Sequence, residues 1–158
     1  MKILMVCLGN ICRSPLAEGI LKHKATEHGL DWIVESAGTN GYHVGEAPHH
    51  LSRKVAQKNG IDISYQKARR FCSADFEQYD MISAMANDVL HEMKEIAGSK
   101  FNGDKVDFFL NALHPEKNND VPDPWYGDED GYTDVYTIID EACDAIIAKA
   151  LTEQKAKI

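Results

Sequence analysis

The sequence predicts an α/β protein, a three-layer sandwich in which a four-stranded parallel sheet carries helices on both faces. Short apolar segments rich in branched side chains alternate along the 158 residues with longer segments whose apolar residues recur at helical spacing. Strands that alternate with helices form parallel sheets covered on both faces. Because no Pro-, Gly- or Ser-rich linker interrupts the alternation, we predict one domain over residues 1–158.

Four segments have the short, apolar character of buried strands. Each is too short for a helix of average length, and each is followed by polar residues or by glycine. Their predicted ranges are 2–6, 32–36, 79–85 and 106–110.

Helices are predicted between and after these strands. The first is expected to begin with Ser14 as N-cap and Pro15 at the first helical position, and to end at Gly29. A polar stretch over residues 111–131 contains three prolines and is predicted to be irregular. The remaining helices are predicted at residues 48–59, 87–97 and 134–151.

The charge and the apolar pattern exclude several classes of protein. A formal net charge of −8 argues against binding of a nucleic-acid backbone, which needs clustered Lys and Arg. No apolar run approaches the roughly 20 residues that span a bilayer, and the apolar N-terminal segment is too short for a signal peptide. We therefore expect a cytoplasmic protein with no nucleic-acid or membrane partner. The cysteines lack the density of a disulfide scaffold and the paired spacing of a zinc site (Cys7, Cys12, Cys72, Cys143).

The predicted topology indicates where a ligand would bind. In parallel sheets, ligands lie beyond the carboxyl ends of the strands, near the point where the strand order reverses. Two segments are expected to meet there, the loop that leaves the first strand and the irregular segment after the fourth. These two segments contain the candidate catalytic residues.

The loop that begins at Cys7 has the features of a phosphate site. Gly9 permits unusual backbone angles, and Asn10 tolerates a left-handed conformation, so successive N–H groups can turn inward around an anion. The helix that begins at Ser14 adds its positive end, and Arg13 can hold two phosphate oxygens. A cysteine in such surroundings favours its thiolate. The loop therefore predicts a nucleophile that forms a cysteinyl-phosphate.

Three motifs together resemble the low-molecular-weight protein tyrosine phosphatase family, in its bacterial type. They are the loop Cys-Leu-Gly-Asn-Ile-Cys-Arg-Ser-Pro at residues 7–15, Ser-Ala-Gly-Thr at 36–39 and Asp-Pro-Trp-Tyr-Gly at 123–127. The resemblance implies a Rossmann-like phosphatase fold, phosphotyrosine protein substrates, and a monomer or weak homodimer. It also implies an enzyme without cofactor or metal. Neither the acidic residues 128–131 nor His49-His50 matches a metal-ligand pattern.

A phosphatase of this kind needs an acid to protonate the leaving group. Asp123 lies between Pro122 and Pro124 in a stiff segment, and we expect Trp125 to bury it partly. The resemblance assigns the general acid and base to Asp123. Asp120 is the nearest competitor.

The remaining site residues are expected to bind the substrate. Leu8 is next to the nucleophile, and Trp125 and Tyr126 are expected to form one wall for an aromatic ring rather than simply to pack. By resemblance Tyr42 forms another wall, the alternative being an exposed loop tyrosine. By resemblance, Cys12 can also form a reversible disulfide with oxidised Cys7. The phosphate itself is expected to contact the loop residues Gly9, Asn10, Ile11, Cys12 and Ser14.

Some positions depart from the family pattern. His49 and Leu51 stand where the family usually has an acidic residue and an arginine, Gln66 replaces a frequent histidine, and Ala86 replaces an aspartate. In relatives these positions brace the phosphate loop or the helix junctions. We therefore expect the departures to affect the rigidity of the loop rather than the chemical groups.

Three other functions fit part of the pattern. An arsenate reductase of this fold needs two further cysteines a few residues apart, and Cys72 has no such neighbour. A phosphoarginine phosphatase of the family tends to have a small polar residue where this chain has Leu8. A non-enzymatic phosphate-binding module needs neither the thiol of Cys7 nor an acid such as Asp123. Hydrolysis of phosphotyrosine is the favoured function.

Overall fold

Four parallel strands form the sheet in the computed structural model, which describes residues 1–156. The strand order is β2-β1-β3-β4, and helices cover both faces, so the predicted architecture is confirmed. Within residues 1–156 no helix is long and apolar enough to cross a membrane. The predicted domain boundary at residue 158 lies outside the described residues. The elements are β1 (Lys2–Cys7), α1 (Arg13–Glu27), β2 (Ile33–Gly38), α2 (His50–Lys58), α3 (Asp75–Gln78), β3 (Met81–Ala84), α4 (Asn87–Ala97), β4 (Val106–Phe108) and α5 (Glu129–Ala156).

Two element boundaries differ from the prediction for identifiable reasons. The fourth strand was expected to reach residue 110, but the chain turns into a 3-10 helix at Phe109–Ala112, which an apolar run alone does not distinguish from a strand. The last helix begins at Glu129 instead of residue 134, because Asp128 caps it. The carboxylate of Asp128 accepts the N–H of Gly131 at 3.2 Å. The four-residue helix α3 is too short to give a periodic signal.

The start of α1 also differs from the prediction. Ser14 is not the N-cap, because the helix begins one residue earlier, at Arg13, and the residue before it makes no side-chain capping bond. The Ser14 hydroxyl is instead used inside the site described below. The predicted end is confirmed, since Gly29 follows the helix with a φ of +67°, a conformation that glycine adopts without strain.

The core lies on both faces of the sheet. Alternate residues of β1 point to opposite faces, with Ile3 and Met5 packed under α1 and α5, and Leu4 and Val6 packed under α3 and α4. All four are fully buried, and each such side chain contributes about 1.5–3 kcal/mol of hydrophobic stabilisation. This two-sided burial explains why the strand is continuously apolar rather than alternating.

The topology brings the two predicted site segments together. The chain leaves β1 through the loop at residues 8–12, at the side where the strand order reverses between β1 and β3. The segment after β4 returns to the same end of the sheet, where the N–H of Val121 donates to the carbonyl of Met85 at 2.7 Å, just beyond β3.

Candidate active site

The loop between β1 and α1 turns its carbonyl groups outward. The carbonyl of Leu8 accepts the N–H of Asn40 at 3.0 Å, and that of Ile11 accepts the N–H of His49 at 2.8 Å. The backbone N–H groups of residues 9–12 donate to no acceptor within residues 1–156. A curled loop with outward carbonyls and unused N–H groups is an anion-binding arrangement.

The thiol of Cys7 lies at the base of this loop against a fixed hydroxyl. Cys7 Sγ is 2.9 Å from Ser14 Oγ, and Asn10 Nδ2 donates to the same oxygen at 2.8 Å. Because the hydroxyl already accepts from Asn10, its single hydrogen is available to donate to the sulfur. Asn10 has a φ of 59°, and its Oδ1 accepts the N–H of Arg69 at 3.1 Å, which braces the loop.

Arg13 is a buried positive charge that faces the loop and the Asp123 segment. Its side chain is only 4% exposed, Nη1 donates to the carbonyl of Val121 at 3.0 Å, and Nη2 lies 3.6 Å from Asp123 Oδ2. The bond to Val121 fixes the plane of the guanidinium and leaves further N–H groups for an anion.

Asp123 is partly exposed. Its side chain is 42% exposed, so its burial beside Trp125 is only partial. The reason is local, because Asp123 Oδ1 accepts the N–H of Trp125 at 3.1 Å and turns the segment into a tight Asx-type loop at the surface. The other carboxylate oxygen faces Arg13 at the cavity.

Asp120, the competing acid, has a different environment. Its Oδ1 accepts the backbone N–H of Asn87 at 2.8 Å and the side-chain amide of Asn87 at 2.7 Å. This carboxylate therefore supplies the cap at the start of α4, where Ala86 has no side chain that can do so. Asp120 does not line the cavity that contains Cys7.

A cavity of about 330 Å³ joins the two segments. All the site residues predicted from the sequence line it except Asn10 and Ser14, which lie behind the loop. Asn40 and His43 also line the cavity, although the sequence did not predict them as site residues. They lie in a loop between a strand and a helix, where no periodicity of the sequence indicates which way a side chain points. The lining residues are Cys7, Leu8, Gly9, Ile11, Cys12, Arg13, Asn40, Tyr42, His43, Asp123, Trp125 and Tyr126.

Aromatic side chains surround the mouth of the cavity. Tyr42 is 86% exposed, Tyr126 is 96% exposed and Trp125 is 39% exposed. The ring of Trp125 contacts two imidazoles, those of His43 and His49, each with a centroid separation of 5.4 Å. Exposed apolar rings beside a polar cavity are typical of sites that bind an aromatic ligand.

Cys12 is a protonated thiol in this structure. Burial raises its pKa to about 12, and its sulfur lies 3.4 Å from the hydroxyl of Tyr132. All four cysteines are free thiols, with Cys143 buried in the core and Cys72 exposed. The redox pairing of Cys12 with Cys7 stays a prediction.

Two of the family departures have clear structural roles. His49 caps α2, since its Nδ1 accepts the N–H of Leu51 at 3.1 Å, and its ring stacks on Tyr132. Burial lowers the pKa of His49, so the ring is neutral at pH 7 and its Nδ1 can accept this bond. Gln66 is buried and donates from Nε2 to the carbonyl of Pro15 at 3.0 Å, which ties it to the first turn of α1.

Gly38 is a position where the loop tolerates no side chain. An added Cβ would lie 2.7 Å from the carbonyl oxygen of Leu8 and 3.0 Å from the backbone nitrogen of Asn10. Because both atoms are backbone, the phosphate loop itself has to move. We expect Gly38→Ala to weaken binding of inorganic phosphate, measured by calorimetry, and to cost about 1–3 kcal/mol of unfolding free energy.

A matched control for this substitution is available in α5. An added Cβ at Gly131 meets nothing within 4 Å, so Gly131→Ala should bind phosphate normally and gain up to roughly 1 kcal/mol of stability. If Gly38→Ala bound phosphate with normal affinity, the close packing of Gly38 against the backbone of Leu8 and Asn10 would not determine the shape of the loop.

Comparison with known proteins gives consistent matches. The sequence model of the family described as low molecular weight phosphotyrosine protein phosphatase matches residues 2–157. The chain is 32% identical to low molecular weight protein-tyrosine-phosphatase YfkJ of Bacillus subtilis, over 97% of each chain. A protein tyrosine phosphatase structure from Entamoeba histolytica, with Hepes in its active site, is similar at 38% identity and a TM-score of 0.87, covering 98% of this chain and 99% of that one.

A second similar structure has a different stated activity. It is the YwlE arginine phosphatase, as a mutant with a phosphorylated active-site serine, at 26% identity, a TM-score of 0.85 and 96% coverage of both chains.

Among residues 1–156, no three His, Cys, Asp or Glu side chains are grouped so that they could hold a metal ion.

Proposed function

The chain belongs to the low molecular weight phosphotyrosine protein phosphatase family, a family of protein-tyrosine phosphatases, and we propose that it hydrolyses phosphotyrosine through a cysteinyl-phosphate. In this proposal Cys7 is the nucleophile, Arg13 holds the phosphoryl group, and Asp123 is the general acid and base. One observation carries the proposal. Cys7, Arg13 and Asp123 line one cavity, beside the loop in which the backbone N–H groups of residues 9–12 have no acceptor within residues 1–156.

The reaction has two steps. The Cys7 thiolate attacks phosphorus, so that an S–P bond forms as the P–O bond to the phenol breaks, and Asp123 gives its proton to the departing oxygen. In the second step Asp123 takes a proton from water while the water oxygen attacks phosphorus. The S–P bond then breaks, and thiolate and inorganic phosphate are released.

The contacts around Cys7 support its role as nucleophile and leaving group. The hydroxyl of Ser14, oriented by Asn10, stabilises the thiolate both before attack and when it leaves the phosphoenzyme. The unused N–H groups of residues 9–12 and the guanidinium of Arg13 stabilise the equatorial phosphoryl oxygens, whose charge is spread in the transition state.

The position of Asp123 supports its role as the acid. Its carboxylate faces Arg13, with Asp123 Oδ2 3.6 Å from Arg13 Nη2. A bound phosphate dianion competes for that guanidinium and places a second negative charge beside the carboxylate. From this position the carboxyl group can reach the leaving oxygen of a phosphoryl group that Arg13 holds.

The mouth of the cavity supports an aromatic substrate. Leu8 lines the cavity beside the nucleophile, and the exposed rings of Tyr42 and Tyr126 rise above it. A phenyl ring can pack between such surfaces, whereas the guanidinium of phosphoarginine needs a polar wall next to the phosphorus. Hydrolysis of phosphoarginine is the second candidate, because one structural neighbour is an arginine phosphatase.

Competition between the two substrates tests the proposal. We expect phosphotyrosine peptides to be hydrolysed at least about tenfold more efficiently, by kcat/KM, than phosphoarginine peptides of the same sequence, since one well-matched apolar contact is worth roughly that factor. The activity should persist in a metal chelator. Faster turnover of phosphoarginine would overturn the substrate assignment while leaving the cysteine mechanism intact.

A further inference from the structure

The segment that carries Asp123 has few attachments to the rest of the protein. Residues 122–127 make no hydrogen bond to any described residue outside the segment. The bond from Trp125 N–H to Asp123 and the bond from Gly127 N–H to Pro124 are both internal. The 3.6 Å ion pair with Arg13 holds one side. Lateral support therefore comes from packing, by Pro124, which is buried, and by the ring of Trp125, which is half-exposed and contacts two imidazoles.

Trp125 packs on His43, and His43 is held rigidly. Its Nδ1 lies 2.5 Å from Glu46 Oε2, and its carbonyl accepts the N–H of Glu46 at 2.9 Å, which closes a tight turn. Two backbone bonds of 2.8 Å attach this turn to buried Ala68, one from Gly45 N–H and one to the carbonyl of Glu46. The edge of the imidazole also packs close to Gly9. A Cβ atom added to Gly9 would lie 3.1 Å from Cδ2 of His43.

His43 thus links three parts of the site, the phosphate loop at Gly9, the fixed turn at Glu46 and the ring of Trp125. His49 contacts Trp125 as well, but it also caps α2 and stacks on Tyr132, so its removal would disturb the fold. We propose that His43 is a positioning residue, which holds Trp125, and through it Asp123, in place over Cys7. The inference rests on the proposed role of Asp123 as the acid.

The physical basis is the steep dependence of proton transfer on geometry. Displacement of a catalytic group by about 1 Å can cost roughly 10²-fold in rate. Asp123 lies two residues from Trp125, in a loop closed by their mutual hydrogen bond, so movement of the ring carries the carboxylate with it. In the first step, which kcat/KM reports, such a loss appears only when the leaving group needs a proton, whereas the second step is the same for every substrate.

The test compares leaving groups. We expect His43→Ala to lower kcat/KM, which reports the first step, about tenfold for phenyl phosphate, whose phenolate is a poor leaving group, and less than about twofold for 4-nitrophenyl phosphate, with the affinity for inorganic phosphate little changed. In the Asp123→Ala background, His43→Ala should add no further loss, because the group that it positions is gone. His23→Ala is the matched control, since His23 also pairs with a glutamate, Glu27, at 2.6 Å but on the exposed surface of α1.

A second variant separates positioning from damage to the fold. His43→Phe keeps a ring against Trp125 without the bond to Glu46, and it should restore most of the rate on phenyl phosphate. Equal loss on both substrates, a change confined to the affinity for inorganic phosphate, additive loss in the double variant, or no rescue by phenylalanine would each overturn the inference. If Asp123→Ala itself shows no dependence on the leaving group, the assignment of the acid fails instead.

Discussion

Replacing Cys7 with serine should abolish hydrolysis of aryl phosphates, with a loss on the order of 10⁴-fold or more in kcat. A serine hydroxyl is not ionised at neutral pH, and within residues 1–156 no histidine or other base is hydrogen-bonded to Cys7 that could take its proton. The side-chain partner of the sulfur is the hydroxyl of Ser14 at 2.9 Å, which accepts from Asn10 and so has its hydrogen available for the sulfur. Steady-state kinetics with 4-nitrophenyl phosphate measures the loss.

The same variant should still bind the reaction product. The N–H groups of residues 9–12 and the guanidinium of Arg13 are unchanged, so inorganic phosphate should raise the thermal unfolding temperature of Cys7→Ser as much as that of the natural chain. Cys72→Ser is the control, because Cys72 is exposed and does not line the cavity, and it should keep full activity. Persistent hydrolysis in Cys7→Ser would falsify the covalent mechanism.

Replacing Asp123 with alanine should slow the enzyme in proportion to the basicity of the leaving group. General acid catalysis contributes roughly 10²–10⁴-fold, so we expect a loss of this size in kcat/KM for phenyl phosphate and a much smaller one for 4-nitrophenyl phosphate, whose phenolate departs without a proton. A plot of log kcat/KM, which reports the first step, against the pKa of the leaving phenol should become steeper. The carboxylate faces Arg13 rather than the core, so little stability should be lost.

Asp120→Ala is the matched control for this experiment. It removes the bond to the N–H of Asn87, and it should therefore cost about 0.5–2 kcal/mol of stability, as loss of a helix cap does, without any dependence on the leaving group. If Asp120→Ala shows the steeper plot and Asp123→Ala does not, the acid is Asp120. Equal slowing of both substrates in Asp123→Ala would remove Asp123 as the acid.

Several features of the fold were accessible from local sequence patterns. The helix at residues 87–97 was predicted with the boundaries that α4 has, because its apolar residues follow helical spacing closely. The stop at Gly29 was predicted for a similar reason, since a positive φ favours glycine. By contrast, the fourth strand was predicted too long, because burial of Phe109 and Leu110 is compatible with a strand or a 3-10 helix.

The departures from the family pattern show what local patterns miss. The sequence indicated that Ala86 lacks a capping side chain, yet nothing local indicates that Asp120, 34 positions away, caps the helix that follows. Likewise, Gln66 and the first turn of α1 are joined by a bond between residues 51 positions apart. These contacts depend on how elements pack, which residue spacing does not specify.

The sequence by itself determined the order of strands and helices and the composition of the loop from Cys7 to Ser14, because periodicity and the needs of phosphate binding both act over a few neighbouring residues. Only the tertiary structure decided that Arg13 bonds to Val121, that Asp123 is exposed, and that His43 packs on Trp125. The physical reason is distance along the chain. Arg13 and Val121 are 108 positions apart. They meet because the sheet topology brings the loop after β1 and the segment after β4 to the same end of the sheet.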